Sequence, residues 1–486
     1  MQNPRFATAP VAKTNRARTV VDVAIIGGGF SGTVLAVQLL RRSPGLTIGV
    51  IDKSSIPGRG LAYSTQYNCH LLNVPAGNMS ALQDDPNHFL RWARANCGPA
   101  VHAESFVPRM AYGRYIGSLL EESALQQGAH SLQWFQEEAV SLTREDSRPV
   151  VLLKNGRELQ AEVVILAIGN FPPGNPKISG LTGSRKKYVP FAWSPAALEG
   201  LDPNGSVLLI GSGLTSIDLA IALQARKFQG QIQIVSRHGL LPQRHQATEP
   251  WPQFWHAGSP RSIRGLLHLI RNQVRAAAAK GVDWRAVINA LRPVAQDIWK
   301  SLPHEERARF LRHARPYWEV HRHRIAFEIH NIVLRLISED RLTIHAGRIV
   351  EYSEVGDHAV VVYRDRKNGT KQRLQVDRVI NCTGSETDCR RIDDSLLTSL
   401  FLQGEARHDP LFLGLDVDSK GSVLNFNGVP SNSLFAIGPV KKGGLWETTA
   451  VPEIRKQAAD LAEHIVHLLA YRSNSQPKNN VVEATA

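Results

Sequence analysis

Two glycine-rich segments constrain the fold of this chain more than any other feature. One reads Val-Ala-Ile-Ile-Gly-Gly-Gly-Phe-Ser-Gly over residues 23–32, and the other reads Val-Leu-Leu-Ile-Gly-Ser-Gly-Leu-Thr-Ser over residues 207–216. Each follows an apolar run typical of a buried strand and precedes a helical pattern. A single glycine loop is weak evidence, because such loops occur by chance in long chains. Two copies in the same setting predict two dinucleotide-binding βαβ units.

Composition narrows the function classes. The 486 residues suffice for two or three domains, and no apolar stretch approaches the ~20 residues of a membrane-spanning helix. The net charge of +14 comes from basic residues spread along the chain. Because no nucleic-acid-binding signature accompanies them, anionic cofactors and a small anionic substrate explain this charge at least as well as nucleic acid. The four cysteines have no CxxC or metal-ligand spacing, which favours a reducing, cytoplasmic setting without a metal site.

The order of the strand and helix signals indicates that one domain interrupts another. Both halves continue from the glycine loop to a helix, a strand and an Asn-Gly hairpin turn, at residues 155–156 and 368–369. Residues 245–337 differ, with a helical period and many Trp, Arg and His residues. We therefore expect an α/β fold with two Rossmann-like dinucleotide-binding domains, the second inserted in the first, and a helical insertion in the second. The expected ranges are 21–175 and 376–472 for the first domain, 200–375 for the second, about 245–337 for its insertion, and 1–20 and 473–486 for disordered tails.

The first loop carries the residues that a dinucleotide requires. Gly27 allows the tight turn, Gly29 lets the backbone approach a pyrophosphate, and Gly32 lets the helix pack closely on the strand. Asp52 ends the second strand, where a carboxylate can accept hydrogen bonds from ribose hydroxyls. The alternative is a glycine-rich turn with an incidental surface Asp.

The second loop differs at two positions. Its third small residue is Ser216 rather than glycine, and its second strand is followed by Ser236 and Arg237 rather than an acid. A hydroxyl and a guanidinium there would accommodate a 2′-phosphate, which favours NADPH. Alternatively, Arg237 is a solvated surface charge.

Several further segments resemble the FAD-NAD(P)-binding flavoprotein family. They are residues 58–63, 71–76, 79–80, 85–92, 108–115, 435–439 and 446–455. This family is related to the two-dinucleotide-domain monooxygenases, which include N-hydroxylases and Baeyer–Villiger enzymes. The linker around residues 183–193 lacks the full FxGxxxHxxxW pattern of Baeyer–Villiger enzymes, and this argues against oxygenation of a ketone.

The resemblance implies FAD on the first loop and NADPH or NADH on the second. Residues 72–79 and the Gly438 region would flank the flavin, although Gly438-Pro439 stands where many flavoproteins have Gly-Asp. A helix over 451–470 would point its positive end at the reduced flavin. The candidate cofactor-binding residues are Gly27, Gly29, Ser31, Gly32, Asp52, Lys53, Gly60, Asn73, Met79, Arg109, Gly211, Gly213, Ser216, Ser236, Arg237, Gly384, Gly438, Pro439 and Ala450.

The resemblance also implies a monooxygenase that consumes NAD(P)H and O2 and inserts one oxygen atom into a small anionic or polar substrate. Urate is the best single guess. The alternatives are an amine N-hydroxylase, another FAD/NAD(P)H oxidoreductase, and a flavin-binding redox sensor without turnover. Catalytic residues are poorly marked in such enzymes, because the flavin activates oxygen itself. The candidates are Arg59, His245, Arg322, Arg324, Trp446 and Glu447. For His245 a structural role is an equal alternative, and for the two arginines a solvated helix face is favoured over a catalytic role. Lys441 and Lys442 either neutralise the substrate or lie on the surface.

Overall fold

The computed structural model describes residues 18–128, 131–182 and 185–475, which form two sheets and the helices that cover them. The strands are β1 (Arg18–Ile26), β2 (Ile48–Asp52), β3 (Leu132–Gln136), β4 (Ala139–Glu145), β5 (Arg148–Leu153), β6 (Glu158–Leu166), β7 (Tyr188–Val189), β8 (Ser206–Ile210), β9 (Gln231–Ser236), β10 (Leu342–Val355), β11 (His358–Asp365), β12 (Lys371–Val376), β13 (Arg378–Asn381), β14 (Ser422–Leu424) and β15 (Pro430–Ala436). The helices are α1 (Phe30–Arg42), α2 (Gly60–Tyr63), α3 (His88–Cys97), α4 (Arg109–Gln127), α5 (Leu214–Ala225), α6 (Ile263–Ala279), α7 (Trp284–Leu291), α8 (Ala295–Ser301), α9 (His304–Arg309), α10 (Arg315–Arg322), α11 (Phe327–Ser338), α12 (Ser395–Leu402), α13 (Lys442–Leu445) and α14 (Val451–Ser475). None of these described helices is long and apolar enough to cross a membrane.

The first sheet is parallel at its centre and covered on both faces. Its strand order is β14-β15-β6-β1-β2-β3, and β4 and β5 extend from β6 as antiparallel strands. Val23 and Ile25 of β1 face α1, α4 and α14, whereas Ala24 and Ile26 face β4, β5 and α12. This burial on both faces explains why β1 is a continuous apolar run rather than an alternating one.

The second sheet lies between β6 and β14 in the chain. Its order is β12-β11-β10-β9-β8-β13-β7, with parallel pairing from β10 to β7. The two crossings between the sheets run side by side, because Phe171 and Glu386 form an antiparallel bridge. The predicted α/β class, with the second dinucleotide-binding fold inserted in the first, is confirmed.

Helices α6 to α11 stand between β9 and β10 and form the helical insertion. Ser262 caps α6, because its Oγ accepts a hydrogen bond from the Gly265 N–H at 3.2 Å. Between α9 and α10 the chain makes one π-helical segment, Phe310–Ala314.

The structure moves three of the expected boundaries. The predicted tails at 1–20 and 473–486 fall largely outside the described residues, but residues 18–20 belong to β1 and residues 473–475 to α14. The apolar run that follows the Asn-Gly turn at residues 368–369 is split at Asp377 into β12 and β13. Since β13 pairs with β8, the second domain extends beyond the boundary expected at residue 376.

Candidate functional site

The first glycine loop turns sharply against the end of its sheet. Gly27 has a φ of 106°, and its N–H donates to the Ile51 carbonyl at 2.8 Å. A Cβ atom at Gly27 would lie 2.3 Å from the Ala167 carbonyl oxygen, and one at Gly32 would lie 1.9 Å from the Gly27 carbonyl oxygen. Neither position can hold a side chain without moving the backbone.

Asp52 fixes this loop from the end of β2. Its Oδ2 accepts the Gly28 N–H at 2.6 Å, and its Oδ1 accepts the Ser54 N–H at 2.7 Å. An ionised carboxylate has further lone pairs, so Asp52 can still accept from a ribose hydroxyl. The neighbouring candidate Lys53 is exposed and pairs instead with Glu138 at 2.8 Å.

Two distant segments converge on the N-terminus of α1. A Cβ atom at Gly60 would lie 3.0 Å from the Gly29 Cα, and one at Gly438 would lie 2.4 Å from the Ser31 Oγ. Helix α1 has no side-chain cap, so its first N–H groups remain available for an anion. Gln457 adds a buried donor, because its Oε1 accepts the Gly438 N–H at 3.2 Å while its Nε2 has no partner among the described residues. This cradle fits a dinucleotide pyrophosphate.

The other expected flavin-side candidates lie around this cradle. Pro439 follows Gly438 in one turn of 3-10 helix, and the Ala450 carbonyl accepts the Ile454 N–H at the start of α14. Met79 is buried in the core, and its carbonyl accepts the Tyr112 hydroxyl at 2.9 Å. Met79 is thus a packing residue in this structure.

The second loop repeats the turn but is more open. Gly211 has a φ of 107°, and its N–H donates to the Val235 carbonyl at 2.8 Å. Ser216 is buried and donates to the Gly211 carbonyl. A Cβ atom at Gly213 or Gly384 would meet no atom within 4 Å. This loop therefore leaves free space where the first loop is tightly enclosed.

Hydroxyls and cations replace the acid beside this second loop. The Ser212 hydroxyl donates to the Ser236 Oγ at 2.8 Å, at the position equivalent to Asp52. Arg237 is exposed, and its carbonyl accepts from Arg366 at 3.5 Å. Burial, then the charges of Arg366 and Arg237, lower the pKa of His238. The rim of this loop is therefore electropositive.

Arg109 and Arg324 do not lie free for a ligand. Arg109 makes a two-pronged ion pair with Asp218 of α5, at 2.6 and 3.0 Å, and so links the two domains. Arg324 is 3% exposed, and its guanidinium donates to Asn289 at 3.1 Å and to the His321 carbonyl at 2.9 Å. These protein partners favour a structural role for both arginines over the expected cofactor contact of Arg109 and catalytic role of Arg324, and Arg324 is not solvated.

Arg322 and Glu447 meet in a buried cluster between the insertion and the start of α14. Arg322 lies 3.1 Å from Glu453 and 3.5 Å from Glu447, and the Trp318 indole donates to Glu447 at 2.9 Å. Arg322 is therefore no solvated helix face. The Arg322 Nε and the Glu453 Oε2 are buried without partners among the described residues.

The electrostatics of this cluster are shifted by burial. Burial lowers the pKa of Lys442 to about 8 and that of Arg292 to about 10. Burial alone would raise the pKa of Glu447, but Arg322, His323, Trp318 and Lys442 lower it overall. Lys441 is also buried, with its pKa lowered to about 8, so neither lysine is a surface residue.

Trp446 adopts a strained backbone next to this cluster. Its φ is 58° and its ψ is −64°, and the Glu447 N–H donates to the Leu445 carbonyl at 2.7 Å. This is a γ-turn of the rare, strained kind, a conformation that clusters at functional sites. The turn sends Trp446 onto Trp299, at 5.1 Å between ring centroids, and Glu447 towards Arg322.

His245 lies near Arg292 and Arg324, whereas Arg59 directly precedes Gly60 at the first glycine loop. The His245 Nε2 donates to the Asn73 carbonyl at 2.9 Å, and burial lowers the pKa of this imidazole to about 4. His245 thus joins the second domain to the segment expected beside the flavin. Arg59 precedes α2 and is half-buried, and its guanidinium has no hydrogen-bond partner among the described residues.

Sequence reasoning did not single out Glu453 and Gln457. They stand four residues apart, so they share one face of a helix, and a helix was expected here. The available signal was two polar residues, one helical turn apart, on the first turns of this helix.

Comparisons with known proteins agree with this geometry. Residues 24–171 match the family model described as FAD-NAD(P)-binding, and no curated protein sequence matches the chain. L-lysine 6-monooxygenase from Pseudomonas syringae is 16% identical, with a TM-score of 0.64 over 92% of this chain and 100% of its own. The Kutzneria ornithine N-hydroxylase, with reduced FAD, NADP+ and L-ornithine, is 12% identical, with a TM-score of 0.64 over 92% and 99%. The FAD-bound cadaverine monooxygenase from Erwinia amylovora is 14% identical, with a TM-score of 0.64 over 92% and 95%.

These identities are too low to carry more than the fold. Residues 24–171 match the FAD-NAD(P)-binding family model, and the chain shares the fold of these flavin monooxygenases.

Proposed function

We propose that this protein is an NADPH-dependent FAD monooxygenase that hydroxylates an amine nitrogen. The observation that carries the proposal is the asymmetry of the two loops. The first is enclosed by Asp52, Gly60 and Gly438, as a permanently bound cofactor requires. The second is open and has Arg237 at its rim, as a cofactor that enters and leaves requires.

The residues around the first loop would hold FAD. The free N–H groups of α1 would bind the pyrophosphate, Asp52 a ribose, and the start of α14 the flavin ring. FAD supplies electron transfer from NADPH and the activation of O2. The protein's own contribution is to position the substrate and to exclude water from the buried cluster.

The cluster at the start of α14 suits a protonated amine. The Glu453 Oε2 is a buried acceptor without a partner among the described residues. Glu447 and Glu453 both lie beside the Arg322 guanidinium, at 3.5 and 3.1 Å. An ammonium donor would satisfy this acceptor, whose unmet hydrogen bond is otherwise unfavourable. The names of the three similar structures, which act on lysine, ornithine and cadaverine, also favour an amine over urate.

Oxygen and NADPH consumption by the purified protein test this function. We expect a yellow protein that NADPH reduces faster than NADH, and whose NADPH oxidation in air is accelerated by an amine with formation of a hydroxylamine. Acceleration by urate, with consumption of urate, would restore the urate reading. A protein that retains flavin but is reduced by neither nicotinamide would be a sensor.

The substitution Glu453→Gln tests the amine site. We expect the KM for the amine to rise roughly tenfold or more, because a charged partner is worth about 1.5–3 kcal/mol, with flavin retained. Glu463→Gln, an exposed glutamate on the same helix, is the matched control and should change nothing. Equal effects of the two substitutions would contradict the assignment of Glu453.

A further inference from the structure

The helical insertion encloses a cavity of about 1250 Å³. It lies among α6, α7, α8, α10 and the π-helical segment, and its volume exceeds the ~300–1,000 Å³ of ordinary small-molecule pockets. Aromatic residues dominate one side, namely Trp284, Trp299, Phe310, Trp318 and Trp446. A polar molecule of the size of urate or ornithine would leave most of this space unfilled.

Helix α6 presents an apolar stripe to the cavity. Five apolar residues recur at helical spacing on one face of this helix, at positions 263, 266, 267, 270 and 274. Ile263 and Leu266 are buried, but Leu267 is 38% exposed and Val274 is half-buried, and all five line the cavity. Because protein interiors are close-packed, an apolar stripe left against open space indicates a missing apolar partner.

The charged side chains that line the cavity are basic, and one of them, Arg309, is paired with Glu306. The titratable lining residues are Arg264, His268, Arg271, Arg309, Tyr317, His313 and His321, and none of the described lining residues is Asp or Glu. Trp255 also lines it, and the Trp255 Nε1 is a buried donor without a partner among the described residues. Cations and spare donors around an apolar space are complementary to an anionic group on an apolar body.

The cavity adjoins the proposed reaction site. Trp446 forms part of its wall, and the next residue, Glu447, belongs to the buried cluster. The γ-turn centred on Trp446 therefore places one residue against the apolar cavity and the next residue in the polar cluster.

We infer that the substrate is an amphiphile, with a long acyl or alkyl chain in this cavity and an anionic group at its basic rim. The inference rests on the proposed monooxygenase function for the identity of the reacting group. Unlike a small polar substrate, this amphiphile has a chain long enough to fill the cavity of the insertion.

Binding of dodecanoate tests the inference without any turnover. Four of the lining residues are tryptophans in the insertion, so the occupant should alter the tryptophan fluorescence of the FAD-loaded protein in the absence of NADPH. We expect the affinity to increase roughly tenfold for every two methylenes added to the fatty acid, from octanoate to dodecanoate. We also expect dodecanoate to bind more tightly than dodecyltrimethylammonium. Equal affinity for octanoate and dodecanoate would overturn the inference.

Matched variants locate the binding. Leu267→Asp should weaken dodecanoate binding at least tenfold, whereas Leu334→Asp, at a leucine on α11 that is also exposed but lies outside the cavity lining, should not. Arg271→Glu should weaken dodecanoate and strengthen dodecyltrimethylammonium, whereas Arg275→Glu on the same helix should do neither. Equal losses within either pair would overturn the site.

The same preparation separates the two proposals. Chain-length-dependent binding together with no oxidation of NADPH under any substrate would reject the monooxygenase function and leave the cavity as an amphiphile site. Oxidation of NADPH accelerated by short amines, without dodecanoate binding, would reject the cavity assignment and leave the function.

Discussion

The two glycine loops share one backbone turn and differ in almost everything placed around it. Gly27 and Gly211 have φ values of 106° and 107°, and each donates to the strand that follows its helix. Around the first, the chain returns from far away to close the site, with Gly438 against Ser31. Around the second, positions 213 and 384 stay open. The comparison indicates that the common turn determines where a dinucleotide binds, whereas the surrounding segments determine whether it remains bound.

The largest contrast is expected at the third small residue of each loop. Gly32→Ala places a methyl group 1.9 Å from the Gly27 carbonyl oxygen, so α1 must move away from β1. We expect loss of bound flavin and a fall in unfolding free energy of about 3 kcal/mol or more, as for overpacked cores. Ser216→Ala removes only one hydrogen bond, worth about 1 kcal/mol. Flavin absorbance and thermal unfolding measure both, and a yellow, stable Gly32→Ala protein would refute the close packing.

The next contrast lies at the ends of the second strands. Asp52→Ala removes a carboxylate that accepts two backbone N–H groups, so the dissociation constant of FAD should rise roughly 30- to 100-fold. Ser236→Ala removes neutral hydrogen bonds from Ser212 and the Gly239 N–H and should leave FAD unaffected. Its KM for NADPH should rise less than about fivefold. Equal FAD affinities in the two variants would remove the distinction between the loops.

A smaller effect is expected for the choice of nicotinamide. Arg237→Ala should raise the KM for NADPH roughly tenfold and leave the KM for NADH unchanged, because only NADPH carries the 2′-phosphate. Steady-state kinetics with both cofactors measure the ratio. Arg373→Ala, an exposed arginine on the edge strand β12, is the control. An equal rise in the KM values for NADPH and NADH would indicate that Arg237 is only a solvated surface charge.

The features that sequence predicted are those whose cause is local. The turn at Gly27, the packing at Gly32 and the position of Asp52 depend on neighbours within one βαβ unit, and a repeating pattern reveals them. The split between β12 and β13 has a cause that is distant in sequence, because Asp377 accepts the Ser206 N–H at 2.6 Å.

The same rule separates the predicted and the missed parts of the site. Arg109 pairs with Asp218, and Arg322 with Glu453, across more than a hundred residues in each case. Spacing along the chain carries no information about such partners. The sequence therefore indicated Arg109 and Arg322 as candidate site residues, but it did not predict that carboxylates of the protein already pair with them.

The smallest expected effect concerns His245, which joins the two regions compared above. Its folded pKa is about 4, below the ordinary 6.5, so the unfolded chain binds a proton at pH values where the folded protein does not. Stability contributed by neutral His245 is therefore present above pH 6.5 and is lost as the pH falls towards 4. His245→Gln keeps a donor for the Asn73 carbonyl and does not titrate. Between about pH 7 and about pH 5.5, the variant should lose about 1 kcal/mol less unfolding free energy than the parent. Urea unfolding at the two pH values measures this difference, with His102→Gln as the exposed control. Parallel losses in the parent and in His245→Gln would mean that this imidazole is solvated, and that the contact between the second domain and the flavin-side segment is weaker than its geometry implies.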